Sequence, residues 1–390
     1  MLCSVKPHIQ LDNQGIHSES ATITCIDFVD EDRCIITCSE DGSIQVRKAD
    51  TGEKVGNPWT DEGSGGIHAM AVSPKKQTEV VTGSQDGRIR LWEVDTREMT
   101  RRSRQAHSLA ILSVCWSPDG FQIASGSEDG TAFIWDINQD DIVGHPIRTN
   151  HPHVYAVCYS PDGKTLVTSG CNNMITFWDV STRKALRFVE ACDLSQQVHC
   201  IAWTSCDRIF LGCSDGIVQA RGKAEGKVAR LGKRTGPICA IVLSQDKLLL
   251  AAASLDNTIS LWNPKTNKSV GRRLYRPTGL RCAAFARNSR LFAASGTDNV
   301  CIWYLQALSR DANSASPLNP RQWYERYIAQ WSSLFRTVAQ VAGKAFGRLR
   351  SFSLTRAAGL GVGHGARENY LHGRQSPSLD KQESAVHLLE

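Results

Sequence analysis

Seven short segments of this chain repeat one another at a nearly constant interval, and that repetition limits the fold more than any other feature. Three read SEDGSIQVR (Ser39 to Arg47), SQDGRIRLW (Ser84 to Trp92) and SEDGTAFIW (Ser127 to Trp135). A fourth, GCNNMITFW, runs from Gly170 to Trp178. Three looser copies follow: CSDGIVQAR (Cys213 to Arg221), SLDNTISLW (Ser254 to Trp262) and GTDNVCIW (Gly296 to Trp303). They end at residues 47, 92, 135, 178, 221, 262 and 303, which are intervals of 45, 43, 43, 43, 41 and 41. One four-stranded propeller blade takes about 40–45 residues, so the period predicts an all-β, seven-bladed β-propeller.

Each unit has the same internal grammar. In the third, the alternating strand Leu112 to Trp116 leads into the turn Ser117-Pro118-Asp119-Gly120 and a second strand from Gln122 to Gly126. Pro fixes φ, Asp can bond its own backbone and Gly accepts positive φ, so the turn reads as a hairpin. Ser160-Pro161-Asp162-Gly163 is a second copy of it. A tighter turn around Asp-Gly then feeds the strand that ends in Trp. Just before that turn one column is always small: Cys38, Gly83, Gly126, Ser169, Gly212, Ala253 and Ser295. Such a column suits a place where neighbouring blades press together.

At these residues the chain resembles the WD-repeat family, whose signatures are Gly-His near the start of a repeat and Trp-Asp at its end. Trp135-Asp136 and Trp178-Asp179 carry the second signature intact, and Trp92-Glu93 and Trp262-Asn263 are near variants. The resemblance covers roughly residues 4 to 306. The stretch Ala49 to Trp59 is also similar to the repeat linkers of fungal WD-repeat proteins. The resemblance implies a buried network of His, Ser or Thr, the turn Asp and Trp within a blade. Blade three is expected to build it fully, from His107, Ser127, Asp129 and Trp135. His107 stands nine residues before Trp116, and the corresponding position in blade four is Asn150, not His. Blades one and five carry Arg47 and Arg221 in place of Trp. There the Arg stem covers apolar surface while its head reaches water, and these two blades are expected to be the softer ones.

The propeller is expected to span residues 1–307, with residues 4–12 supplying the outer strand of blade seven and closing the ring. Residues 308–319 read as a linker. Asn319-Pro320-Arg321-Gln322 has the form of a helix start. Trp323, Tyr327, Trp331, Leu334, Val338, Val341, Ala345 and Leu349 then recur at helical spacing, with basic residues elsewhere on the wheel. Residues 320–350 therefore read as a basic amphipathic helix and 351–390 as a disordered tail. Three roles stay open for the helix: packing on the propeller, a partner protein or calmodulin-like site, and an anionic membrane surface.

The formal net charge of +6 is unevenly spread. Residues 308–390 hold eleven Lys/Arg and six Asp/Glu, leaving 34 against 33 for the rest. A nearly neutral body argues against a specific nucleic-acid partner. No run approaches eighteen apolar residues, and the start, MLCSVKPHIQLDNQG, lacks the apolar stretch of a secretory signal. The expected location is intracellular, in the cytoplasm rather than the nucleus. Fourteen cysteines without a CxxC pair then read as reduced, small core hydrophobes.

Motifs that carry chemistry are missing: there is no GxGxxG opening a helix, no P-loop and no HExxH, and the GxSxG string from Gly212 to Gly216 belongs to the fifth repeat copy rather than to a nucleophile elbow. His145, His151 and His153 lie close in sequence but in a Pro-bearing loop without a matching Cys or carboxylate pattern, so they read as solvated rather than as a metal site. Neither enzyme, cofactor nor metal is expected. The favoured function is a scaffold or adaptor for protein partners; the alternative is a membrane-associated adaptor anchored by the tail helix. Family resemblance marks the second position of each innermost strand, at the mouth of the central channel, as a common peptide contact. By register these are Thr24, His68, Leu112, Tyr155, His199, Cys239 and Arg281. A purely structural ring would repeat one residue type, whereas this one mixes an aromatic, two imidazoles and a guanidinium.

Overall fold

The computed structural model describes residues 9–12, 22–61, 63–102, 105–139, 141–191, 196–204, 208–222, 228–275, 279–297 and 299–305. The linker, amphipathic helix and tail expected between 308 and 390 lie outside the described residues. Seven antiparallel sheets follow one another along the chain, one for each repeat. Blades two, four, five and six each have four consecutive strands; blade four, for example, pairs Val154–Tyr159, Thr165–Gly170, Met174–Asp179 and Ala185–Glu190 in that order. Position within the blade sets the burial. The second and third strands of a blade have both faces covered and are buried almost throughout, whereas the outer strand Ala185–Glu190 is largely exposed.

Two blades depart from this plan. In blade one the described sheet has three strands, Ile23–Val29, Cys34–Ser39 and Ile44–Lys48, and the fourth position is marked by the isolated bridges Ile44 to Trp59 and Arg47 to Lys54. In blade three the outer edge is cut into Asp141–Ile142 and Ile147–Arg148. Gly144, at a positive φ of 70°, and the following His145-Pro146 lie at the cut.

Apolar cores form between blades, not within them. Each of seven clusters draws on two neighbours: Ile123, Phe133 and Trp135 of blade three, for instance, meet Ala69, Val81 and Leu91 of blade two. The small column lies on these seams. A Cβ built on Gly83 would stand 2.5 Å from Ile111 Cγ2, one on Gly126 2.6 Å from Val154 Cγ1, and one on Gly212 2.5 Å from Ile238 Cγ2. Glycine is used there because the next blade's first strand already occupies the space.

The ring is closed by pairing the first described strand with the last. Ile9–Asp12 pairs antiparallel with the Asn299–Tyr304 strand of blade seven, in the register Ile9 to Ile302 and Asp12 to Asn299. A polar clip reinforces the seam. The Asp32 carboxylate accepts from the backbone amides of Arg287 and Asn288, both at 2.8 Å. Arg287 in turn donates to the carbonyls of Ser73 (2.5 Å) and Pro74 (3.2 Å), so blades seven, one and two are tied together.

Asp27, on the innermost strand of blade one, lies beside this clip. Burial pushes its carboxyl up to about 6, and the Phe28 amide and nearby Arg287 offset only part of that. An unfolded Asp titrates near 3.9, so the folded protein holds this proton longer, and the stability it contributes is lost as pH rises from about 4 through 6. Asp27→Asn is therefore expected to raise the melting temperature by a few degrees at neutral pH and to change it little at about pH 4. Calorimetry at both pH values checks this; equal shifts at the two would contradict the titration.

Candidate functional site

All seven channel-mouth positions share one backbone feature. In every blade the ladder between the first and second strands slips at the second residue of the first strand. Ile23 and Cys25 pair while Thr24 does not, and the same holds for His68, Leu112, Tyr155, His199, Cys239 and Arg281. A β-bulge leaves its extra residue outside the ladder and re-aims its side chain. The turn before the third strand shares this face. The amides of Glu40, Gln85, Glu128, Cys171, Ser214 and Leu255 donate to the carbonyls of Thr22, Gly66, Ala110, His153, Gln197 and Pro237, which immediately precede the innermost strands. Blade seven's equivalent is Thr297, and the residue after it, 298, lies outside the described residues.

The seven side chains are not equivalent. Tyr155 and His199, on adjacent blades, stack with centroids 5.2 Å apart and planes 23° apart. His153 extends the stack at 6.4 Å from Tyr155, and its Nδ1 lies 2.7 Å from the Glu128 carbonyl. Arg281 is half exposed and lies 4.0 Å from the equally open carboxylate of Glu40. Thr24 is occupied structurally, its hydroxyl lying 2.6 Å from the Ile67 carbonyl of blade two. Cys239 Sγ is 3.3 Å from the Ala253 carbonyl. His68 and Leu112 are half-buried. Sequence reasoning passed over His153 and Glu40. The signal for His153 was its place two residues before Tyr155, which puts both on one side of an extended strand.

Electrostatics limit what this face can do. Burial pushes the Cys239 thiol up to about 12 and lowers His199, so at neutral pH the thiol keeps its proton and the imidazole is uncharged. Burial also raises Tyr155. The face therefore offers an aromatic wall, a neutral imidazole and one exposed, exchangeable guanidinium–carboxylate pair. Those are recognition elements. Among the described residues no group of three His, Cys, Asp or Glu is arranged to hold a metal ion.

Beneath the face lie the blade networks, and here the sequence reading needs correction. In blade three the hydroxyl that joins His107 to Trp135 belongs to Ser125, not Ser127: it lies 2.8 Å from His107 Nε2 and accepts from Trp135 Nε1 at 2.9 Å. Ser127 lies two residues on, on the same side of the strand, and serves the turn instead, accepting from the Asp129 amide and donating to the Leu109 carbonyl. Blade four has a network of its own. His151, read as solvated, is buried, with Nδ1 2.6 Å from Asn172 Oδ1 and Nε2 3.2 Å from Thr168, which also accepts from Trp178. Asn150 takes a left-handed φ of 59°, and the histidine comes one residue later than the repeat spacing predicts.

Elsewhere arginine substitutes. Arg90 is buried in blade two and paired with Asp61 and Asp86. Arg234 in blade six donates to Ser260 and lies over the Trp262 ring. Arg47, expected to send its head to water, is buried; Nη1 bonds the Gly52 carbonyl at 2.8 Å, and Nε and Nη2 have no partner. Arg221 likewise turns back, to the Ala191 carbonyl.

Comparison with known proteins agrees with this architecture. Residues 67–314 match the family model described as the IFT122 first beta-propeller, and residues 13–47 match the WD domain, G-beta repeat. No curated protein matches the chain.

Proposed function

Because the chain belongs to the WD-repeat β-propeller family, whose members typically serve as scaffolds for protein interaction, we propose that it is a non-enzymatic adaptor whose main partner docks at the channel-mouth face. One observation carries this reading. The bulges release the same position in all seven blades, yet the residues there differ, as expected of a surface shaped for a partner rather than for packing. Tyr155 stacked on His199 supplies a pre-arranged apolar wall. Arg281, whose ion-pair partner among the described residues is the exposed Glu40, can exchange that carboxylate for one on the partner at little cost.

Tyr155→Ala combined with Arg281→Ala is expected to weaken capture of the principal partner by at least ~2 kcal/mol, about thirtyfold, while unfolding stays cooperative. Affinity capture with quantitative mass spectrometry, followed by titration of the recovered partner, tests this. If the double variant recovers the same proteins with unchanged affinity, the docking site is on another face.

A further inference from the structure

The charge of the propeller is split between its two halves. Residues 208–290 carry sixteen Lys/Arg against four Asp/Glu, whereas the remainder of 1–307 carries eighteen against twenty-nine. The near-neutral total conceals a basic side formed by blades five to seven and an acidic side formed by blades one to four.

The outer edge of blade six concentrates this charge. Outer strands of blades two, four and five each bulge by one residue, at Thr100, Leu186 and Leu231. In blade six Ile259 pairs with Leu274 and Leu261 with Val270, so three residues, Gly271, Arg272 and Arg273, stand opposite Ser260 alone. Gly271 makes the excursion possible with a φ of 63°. Arg272 and Arg273 are exposed, and neither forms an ion pair with a described residue. Lys268 lies at the start of this edge, and Arg230 and Lys233 are exposed on the neighbouring outer strand of blade five.

Arg234 provides a second, independent sign. Only 9% exposed, it lies between these two edges with Nε unpartnered. The nearby Asp256 carboxylate, which accepts from the amides and hydroxyls of Thr235 and Thr258, offsets part of this charge from a distance. Burial lowers the Arg234 guanidinium, and the like charge of Arg273 lowers it further. Crowded, underpaired cations at one place are an arrangement completed by an anion.

We propose that the outer edges of blades five and six form a second docking surface, which takes an acidic, carboxylate-rich segment of a partner protein. Arg272 and Arg273 grip its carboxylates, with Arg230, Lys233 and Lys268 around them and Arg234 beneath. Guanidiniums favour planar, bidentate carboxylate contacts. A short acidic segment fits better than nucleic acid or a membrane surface. The basic area spans only part of the ring, and the acidic blades beside it repel an extended polyanion. The exposed apolar side chains here, Val228 and Tyr275, sit on separate edges and do not form the apolar face that a bilayer needs.

A short poly-glutamate peptide bearing a photo-crosslinker, added to the full chain, tests this. Crosslinks should map to Val228–Lys233 and Ser269–Tyr275, and their yield should fall at least about tenfold in Arg272→Glu/Arg273→Glu or after a rise to about 0.5 M salt. The milder Arg272→Gln/Arg273→Gln should show the same trend, and Tyr155→Ala/Arg281→Ala should leave the yield unchanged, separating this surface from the channel mouth. Crosslinks confined to the channel-mouth face or to 308–390 would overturn the proposal. So would a charge reversal that abolishes binding to phosphatidylserine vesicles or self-association while the peptide yield stays the same.

Discussion

Deleting residues 1–16 is expected to lower the melting temperature by about 10 °C and to make the protein prone to aggregation. The deletion removes the whole Ile9–Asp12 strand, whose four residues pair with Asn299 to Ile302. What it uncovers is costly. Val300, Cys301, Ile302 and Trp303 are fully buried, and the first three pair directly with the lost strand. Exposing part of their surface costs roughly 3–5 kcal/mol at about 25 cal/mol per Å². The same cut leaves blade seven with an unpaired edge, which can template association. Calorimetry with light scattering reads both effects, and a melting temperature within a degree or so of the intact protein would mean the ring does not depend on this strand.

Asp129→Ala should cost about 3 kcal/mol, and Asp215→Ala less than about 1. The Asp129 carboxylate collects the Ser108 amide at 2.9 Å, the Thr131 amide at 2.9 Å, the Thr131 hydroxyl at 2.6 Å and His107 Nδ1 at 3.1 Å. Asp215, in blade five, accepts from the Ile217 amide at 3.0 Å. Removing the first carboxylate takes the acceptor from four donors, the buried His107 among them; removing the second takes it from one among the described residues. Burial alone would raise the Asp129 carboxyl, but the hydrogen bonds from His107 and Thr131 outweigh it and hold the group well below the usual carboxylate range. Its contribution is therefore present above the unfolded value, near 3.9, and is lost as pH falls towards the folded value. Urea titrations should show the gap between wild type and Asp129→Ala shrinking below about pH 4. Equal losses for the two variants at neutral pH would contradict the network.

Blade number, strand order within a blade and the small seam column were legible because each is repeated seven times, so accidents at single positions average out. The channel-mouth positions were legible by register alone, but the bulge that frees them was not, since no residue type marks it. The errors arose where two neighbours obey the same pattern. Ser125 and Ser127 share one side of a strand, and only the reach of the His107 ring separates them. Asn150 and His151 differ by one residue in a loop whose left-handed turn no spacing rule anticipates. Arg47 had no visible carbonyl partner in sequence, because Gly52 comes back to it only through the turn that follows the strand. The split in charge was readable residue by residue, yet a total of +1 over 1–307 masks it. Its concentration at Gly271–Arg273 depends on a strand slip that sequence does not display.

Hydroxyl-radical footprinting of the full chain, free and bound to its captured partner, tests the central claim most directly, since it reads side-chain cover without a mutation. Docking at the channel mouth predicts that Tyr155, His199 and His68 become protected while Phe121, 47% exposed in a first-to-second-strand turn, reacts as before. Protection of Phe121 with Tyr155 and His199 unchanged would contradict it and move the partner to the opposite face.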